Sequence, residues 1–235
     1  MEKIKDYDIL YDDIWSNYLD EDGNVDEIYI SQKASIMSTD GKKNLSKPYY
    51  YIEELWDDHF IVCDLVITEP GFGIETRDVL STTKVGFKYG VIRVKRNKKK
   101  EIIPMQETVV IAPVYDKISG ANSNVIIAYG NNNHLTYVDL DVKSPNYAEQ
   151  LVPVVLNHAV PFDTEYEGFA ECSIGNVVGY LPRNCKPRTK LNGKDLLTKD
   201  QVEYLLKYFP RAFMHDQSVR AFEKLTGTKK TLSYK

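Results

Sequence analysis

From Tyr50 to Leu181 the chain reads as a series of short β runs cut apart by turn residues, and that alternation restricts the folds open to it. FIVCDLVI (60–67), GVIRV (90–94), VVIA (109–112), NVIIAY (124–129), LTYVDLD (135–141), LVPVVL (151–156), GFAEC (168–172) and VVGYL (177–181) are rich in Val, Ile and aromatic residues. Pro70-Gly71, Ser119-Gly120, Gly130-Asn131-Asn132-Asn133, Ser144-Pro145 and Gly175-Asn176 separate them. Such runs point to antiparallel sheets rather than strand–helix alternation. The fold class expected is mainly β with a helical C-terminal segment, α+β overall.

The runs recur at a spacing of about 45 residues. The Ile-Pro and Val-Pro marks at Pro104 and Pro153 are 49 residues apart, and the strand marks at Val125 and Phe169 are 44 apart. An insertion over 66–87, carrying Pro70-Gly71-Phe72-Gly73, enlarges the first unit. A repeat of this length is one supersecondary unit whose apolar face is covered by its neighbours.

Several segments fit a known pattern. Pro113-Val114-Tyr115-Asp116-Lys117-Ile118 has a Tyr-Asp pair. Pro161-Phe162 with Glu167-Gly168-Phe169-Ala170-Glu171-Cys172 forms a Phe–Gly–Ala strand. Lys88-Tyr89-Gly90-Val91-Ile92 and Val178-Gly179-Tyr180-Leu181 are Gly-aromatic strands. In these features residues 50–182 resemble the bacterial WG-repeat proteins in degenerate form, without the family's Trp. The resemblance implies a β-repeat scaffold or binding role and no reaction.

The ends read differently. Tyr7–Leu19 places Ile9, Leu10, Ile14, Trp15 and Leu19 near a helical stripe, while its aspartates suit a loop equally well. Asp22-Gly23 and Asp40-Gly41 are hairpin signals. At the C-terminus, Thr198-Lys199-Asp200-Gln201 matches a capping box before the stripe Val202, Leu205, Leu206, Phe209, which Pro210 stops. A second helix is expected over 216–225, with Val219, Phe222 and Leu225 on one face and Gly227 as its C′ residue. The two helices would cap the exposed edge of the β repeats. Three regions follow: 1–49, acidic with hairpins; 50–189, the β repeats; 190–235, helical.

Charge is polarised along the chain. Residues 1–60 carry 15 acidic and 6 basic groups, residues 190–235 carry 5 and 10, and the whole chain has a net charge of −4. That balance argues against general nucleic-acid affinity. The start has no apolar h-region, and no apolar run approaches the ~20 residues of a membrane span, so a cytoplasmic protein with no membrane partner is expected. Cys63, Cys172 and Cys185 make no CxxC and are expected to be thiols, two of them buried.

No catalytic or metal constellation forms in the sequence, so a non-enzymatic protein without cofactor or metal is expected. His59, His134, His158 and His215 are isolated. Asp20-x-Asp22-x-Asn24 begins like a calcium loop, but Val25 and Ser31 stand where it needs Gly and Glu. Cys63 lies four residues after His59 in an apolar strand, where the sulfur packs inward. Gly71-Phe72-Gly73 has no following helix or Lys-Ser/Thr and reads as a turn. Glu53-Glu54 and Asp57-Asp58 look like a solvated face.

Two surfaces remain as candidates. Tyr11, Asp12, Asp13, Trp15, Asp20, Glu21 and Asp22 mix acids with aromatic anchors, which suits docking on a basic protein partner as an inhibitor or adaptor. Arg93, Lys95, Arg96, Lys98, Lys99 and Lys100 crowd a short stretch read as a hairpin tip. They offer an anion or nucleic-acid contact as the alternative. A structural subunit of an assembly such as a virion also fits a chain without an active site.

Overall fold

The computed structural model describes residues 7–19, 25–69, 84–119, 124–183 and 187–208. Among them the protein is mainly β, with its strands in four antiparallel sheets. The chain divides into two compact units after Asp116, inside the 50–189 segment delimited by the repeat marks.

The first unit opens with a long hairpin. β1 (Tyr7–Leu19) pairs antiparallel with β2 (Val25–Ser38), from Tyr7 opposite Ser38 to Leu19 opposite Val25. The helical and loop readings of 7–19 are therefore corrected, and strands pair on either side of Asp22-Gly23, which itself lies outside the described residues. Burial explains the choice: Tyr7 is buried, Asp8 exposed, Ile9 half-buried and Leu10 exposed, a period of two that only a strand provides. Opposite them, Ala34 and Ile36 are fully buried.

The Asp40-Gly41 turn then folds the chain back along β2. Gly41 N donates to Ser38 O at 2.7 Å, and the Asp40 carboxylate accepts from Ser38 Oγ at 2.6 Å and from the Lys42 amide at 3.1 Å. These bonds hold the Asp40 carboxyl below the usual carboxylate range. Ala34 and Tyr49 exchange backbone bonds of 2.7 and 2.9 Å on the far side of β2.

Four strands follow in sequential order in one sheet: β3 (Tyr51–Glu54), β4 (His59–Glu69), β5 (Lys84–Arg96) and β6 (Ile102–Tyr115). The turn between β3 and β4 has Asp57 and Asp58 at φ 50° and 64°, with His59 N donating to Trp56 O at 3.0 Å. Positive φ at both central residues is the mirror-image turn that matches strand twist, and Asp tolerates it. Phe60, Val62, Ile92 and Val94 on one face of this sheet pack with Tyr7, Ala34 and Ile36 of the hairpin into one core. The Tyr7 and Phe60 rings meet edge to face at 5.3 Å. Burying Phe60 completely contributes about 1.5–3 kcal/mol.

Packing forces glycine at position 90. A Cβ on Gly90 would lie 2.4 Å from Ile111 O and 2.8 Å from Pro113 N, because β6 presses onto β5 where the register shifts between Tyr89 and Val91. The backbones approach too closely for a side chain.

The second unit holds two three-stranded antiparallel sheets. β7 (Lys117–Ser119), β8 (Val125–Tyr129) and β9 (Leu135–Asp139) form one; β10 (His158–Ala159), β11 (Phe169–Ile174) and β12 (Val177–Pro182) form the other. The strand expected over 151–156 does not form. Pro153 lacks an N–H for a ladder, and the segment makes only isolated bridges, Leu135 to Leu156 and, just before it, Val138 to Gln150. Leu151, Val152 and Leu156 are nonetheless buried, beside Tyr137 and Phe162, whose rings meet at 4.9 Å.

The capping box forms as expected. Thr198 Oγ1 accepts from Gln201 N at 3.3 Å, and Gln201 Oε1 accepts from Thr198 N at 2.9 Å. It starts helix α1 (Lys199–Tyr208), whose Val202 and Leu205 pack with Phe169, Tyr180 and Leu197. Pro210, the second helix over 216–225 and Gly227 lie outside the described residues, as do the Pro70-Gly71-Phe72-Gly73 insertion and Cys185.

Candidate docking surface

The acidic end divides in two. Tyr11, Asp12 and Asp13 lie on β1 with exposed side chains. Trp15 follows on β1, in register with Tyr29 just past a bulge at Ile14/Trp15. Asp20, Glu21 and Asp22, and with them the calcium-loop resemblance, lie outside the described residues. Asp12 stands opposite Lys33, and Asp13 Oδ1 accepts from Gln32 Nε2 at 3.2 Å. The Tyr11 hydroxyl reaches β3 and donates to Ile52 O at 3.4 Å.

Where Tyr11 arrives, the sheet presents further aromatic residues that the sequence did not single out. Tyr51, Cys63 and Tyr89 stand in cross-strand register, and the Tyr51 and Tyr89 rings meet edge to face at 6.1 Å. Two residues along the same face, Leu65 stands opposite Phe87, and these two are 40% and 55% exposed. Tyr50 packs edge to face on Phe87 at 5.1 Å, and Lys33 Nζ sits 4.8 Å from the Tyr50 ring centroid. The Tyr51 hydroxyl donates to Glu53 Oε2 at 2.8 Å. That bond, with partial burial, pushes its pKa up to about 12. Asp64, between Cys63 and Leu65 on β4, points to the other face of the sheet and is bound to Lys47 Nζ at 3.3 Å. The exposed rings of Tyr51 and Phe87 thus stand on one face of the sheet, two strand positions apart. The tyrosines of YYYIEELW and the alternation of Phe87 and Tyr89 were the available signal, but only the cross-strand register joins them.

The basic stretch is a hairpin tip between β5 and β6, with Arg96 opposite Ile102. Asn97 builds it: its Oδ1 accepts from Lys99 N at 2.8 Å and Glu101 N at 3.0 Å, and Lys100 adopts φ 67°. Arg96 is part of the framework. Its Nε and Nη2 each donate to the Asp58 carboxylate at 2.7 Å, and Nη1 donates to Lys100 O at 2.6 Å. Asp58 is thus no part of a solvated face; it ties the β3–β4 turn to the β5–β6 tip. Arg93 stands half-buried opposite His59, which leaves Lys95, Lys98, Lys99 and Lys100 exposed.

The remaining titratable groups serve packing. His59 is fully buried, with Nδ1 3.0 Å from Trp56 O; burial, and then the nearby Arg93 charge, push its pKa down. Burial pushes the Cys63 thiol up, the reverse of an activated nucleophile. Tyr180 is buried and donates to Glu165 Oε2 at 2.8 Å and Glu171 Oε2 at 3.2 Å; burial and these carboxylates raise its pKa. Lys199 and Tyr166 complete that cluster through Glu165 and Glu203. Among the described residues no group of three or more His, Cys, Asp or Glu could hold a metal, and no helix is long and apolar enough to cross a membrane. Comparison with protein-family models, with curated proteins and with solved structures finds no match.

Proposed function

We propose that this chain is a non-enzymatic, cytoplasmic protein-binding protein, an adaptor or inhibitor, that docks a basic partner on the acidic and aromatic surface of its first unit. One observation carries the reading. Tyr11, Tyr51 and Phe87 are exposed, Tyr51 and Phe87 belong to two edge-to-face ring pairs on neighbouring strands, and the carboxylates of Asp12, Asp13 and Glu53 stand on the same strands as Tyr11 and Tyr51. Aromatic faces and carboxylates together attract Lys and Arg side chains, the first by cation–π contact and the second by steering. Lys33 over Tyr50 is an internal example of that contact.

The scaffold reading draws support from the second unit. β8 starts at Val125 and β11 at Phe169, 44 residues on; β9 starts at Leu135 and β12 at Val177, 42 residues on. Two three-stranded sheets whose strands recur at 42–44 residues fit a β-repeat platform.

The test is co-precipitation of a partner from host lysate, followed by affinity measurement at low and high salt. Binding should weaken with salt. It should fall about tenfold when Asp12, Asp13, Glu21 and Asp22 are replaced by their amides. Affinity unchanged by the four substitutions refutes the reading.

A further inference from the structure

We propose that docking occurs by strand addition: an extended basic segment of the partner pairs with the outer edge of β1 at Ile9, Tyr11 and Asp13. This rests on the docking reading above and specifies its geometry.

The edge follows from hydrogen-bond direction. Ala34 exchanges both its backbone groups with Tyr49. Ile36 O accepts from Leu45 N at 2.7 Å, and Ile36 N donates to Ser46 Oγ at 3.0 Å. Both residues of β2 therefore turn their backbone away from β1. In an antiparallel ladder, directly opposite residues either exchange both bonds or both turn away. Ile9 stands opposite Ile36 and Tyr11 opposite Ala34, so both direct N–H and C=O outward from the hairpin. Asp13, two residues on and still before the bulge, does the same. The result is a row of three donors and three acceptors along roughly 17 Å of strand, a ready template for another chain.

Charge selects the occupant. Asp8, Asp12 and Asp13 are exposed along this edge. A second copy of β1 would bring three more carboxylates to the same edge, and like charge gathered along a strand disfavours self-pairing. A basic strand meets the opposite condition. Its side chains must alternate between two faces. Those beside Asp8, Leu10 and Asp12 should be Lys or Arg, and those beside Ile9 and Tyr11 apolar. Strand addition therefore demands an alternating basic–apolar order, which simple charge attraction does not.

The probe is a fluorescent, end-capped heptapeptide alternating Lys and Val, measured by anisotropy against the full chain. A peptide of the same composition in block order is its control. Tyr11→Pro removes one outward N–H without touching a β1–β2 bond, a substitution that edge strands tolerate. Tyr11→Ala removes the same ring and keeps the N–H. The alternating peptide should bind at least about tenfold tighter than the block peptide, and Tyr11→Pro should bind about five- to tenfold more weakly than Tyr11→Ala. On the unsubstituted chain, peptide binding should slow hydrogen exchange at the Tyr11 and Asp13 amides, a readout that needs no variant to fold.

Equal binding of both peptides, lost on Asp12→Asn and Asp13→Asn but indifferent to proline at position 11, overturns strand addition while leaving acidic docking intact. No binding of either peptide, or binding indifferent to the aspartates, overturns both. A dimer in light scattering that Tyr11→Pro dissociates assigns the edge to a second copy and overturns the proposal.

Discussion

Replacing Arg96 with Ala should cost the first unit about 3 kcal/mol. The side chain makes two charge-assisted bonds of 2.7 Å to Asp58 and one of 2.6 Å to Lys100 O. Bonds to charged groups contribute about 1.5–3 kcal/mol net when well shielded. Here the side chains are 23% and 19% exposed, so solvent screening trims the pair without erasing it. A double-mutant cycle with Asp58→Ala should return a coupling of about 2 kcal/mol. The remainder of the single-mutant loss reflects the Lys100 bond and an Asp58 charge left without its partner. Urea denaturation followed by tryptophan fluorescence is the assay. Trp15 and Trp56 are the two tryptophans of the chain and both precede Asp116, so the signal reports the first unit. The midpoint should move by about 1.5 M if the urea slope is near 2 kcal/mol per M. A coupling below about 0.5 kcal/mol, the worth of an exposed pair, would show that the Asn97 turn alone holds the basic tip.

Two further outcomes are expected. Gly90→Ala should destabilise the first unit by about 2–3 kcal/mol in the same assay, because the new Cβ meets backbone atoms of Ile111 and Pro113 that no rotamer change can move. Gly41→Ala meets nothing and should cost only about 1–2 kcal/mol for its φ of +68°; equal losses would contradict the packing account. His59 should make stability fall on acidification. Its folded pKa is depressed, so the unfolded chain takes up the proton first as pH drops below about 6.5, and stability declines until the folded pKa is passed. His59→Gln should be less stable at pH 8 yet flatter between pH 7.5 and 5.5; parallel pH profiles would refute the assignment.

Local chemistry was legible in the sequence, and long-range pairing was not. The Asp40-Gly41 turn, the basic tip and the capping box each depend on a few adjacent residues, and each formed where its residues stand. The segment 7–19 was ambiguous because Leu10 and Ile14 fit a helical stripe, while the partner that makes it a strand lies 19 residues downstream of Asp13, at Gln32. LVPVVL reads as a strand by composition, but Pro153 removes the donor a ladder needs. Asp58 looked like one of several solvated acids; only the left-handed turn aims it at Arg96, 38 residues away. The aromatic surface was the hardest to see, since Tyr51 and Tyr89 meet through the register of β3, β4 and β5. By contrast, the acidic, tyrosine-bearing start of β1 was visible at once, because charge and exposure need no register.

Cys63 in β4 and Cys172 in β11 place one buried thiol inside each compact unit. Neither sulfur meets solvent while its strand stays paired, and desolvation keeps the Cys63 proton in place. An alkylating reagent would therefore reach each only during a transient opening of its own half of the chain. The two cores carry built-in clocks, and reading them separately tells whether a partner bound to β1 steadies one unit alone or both.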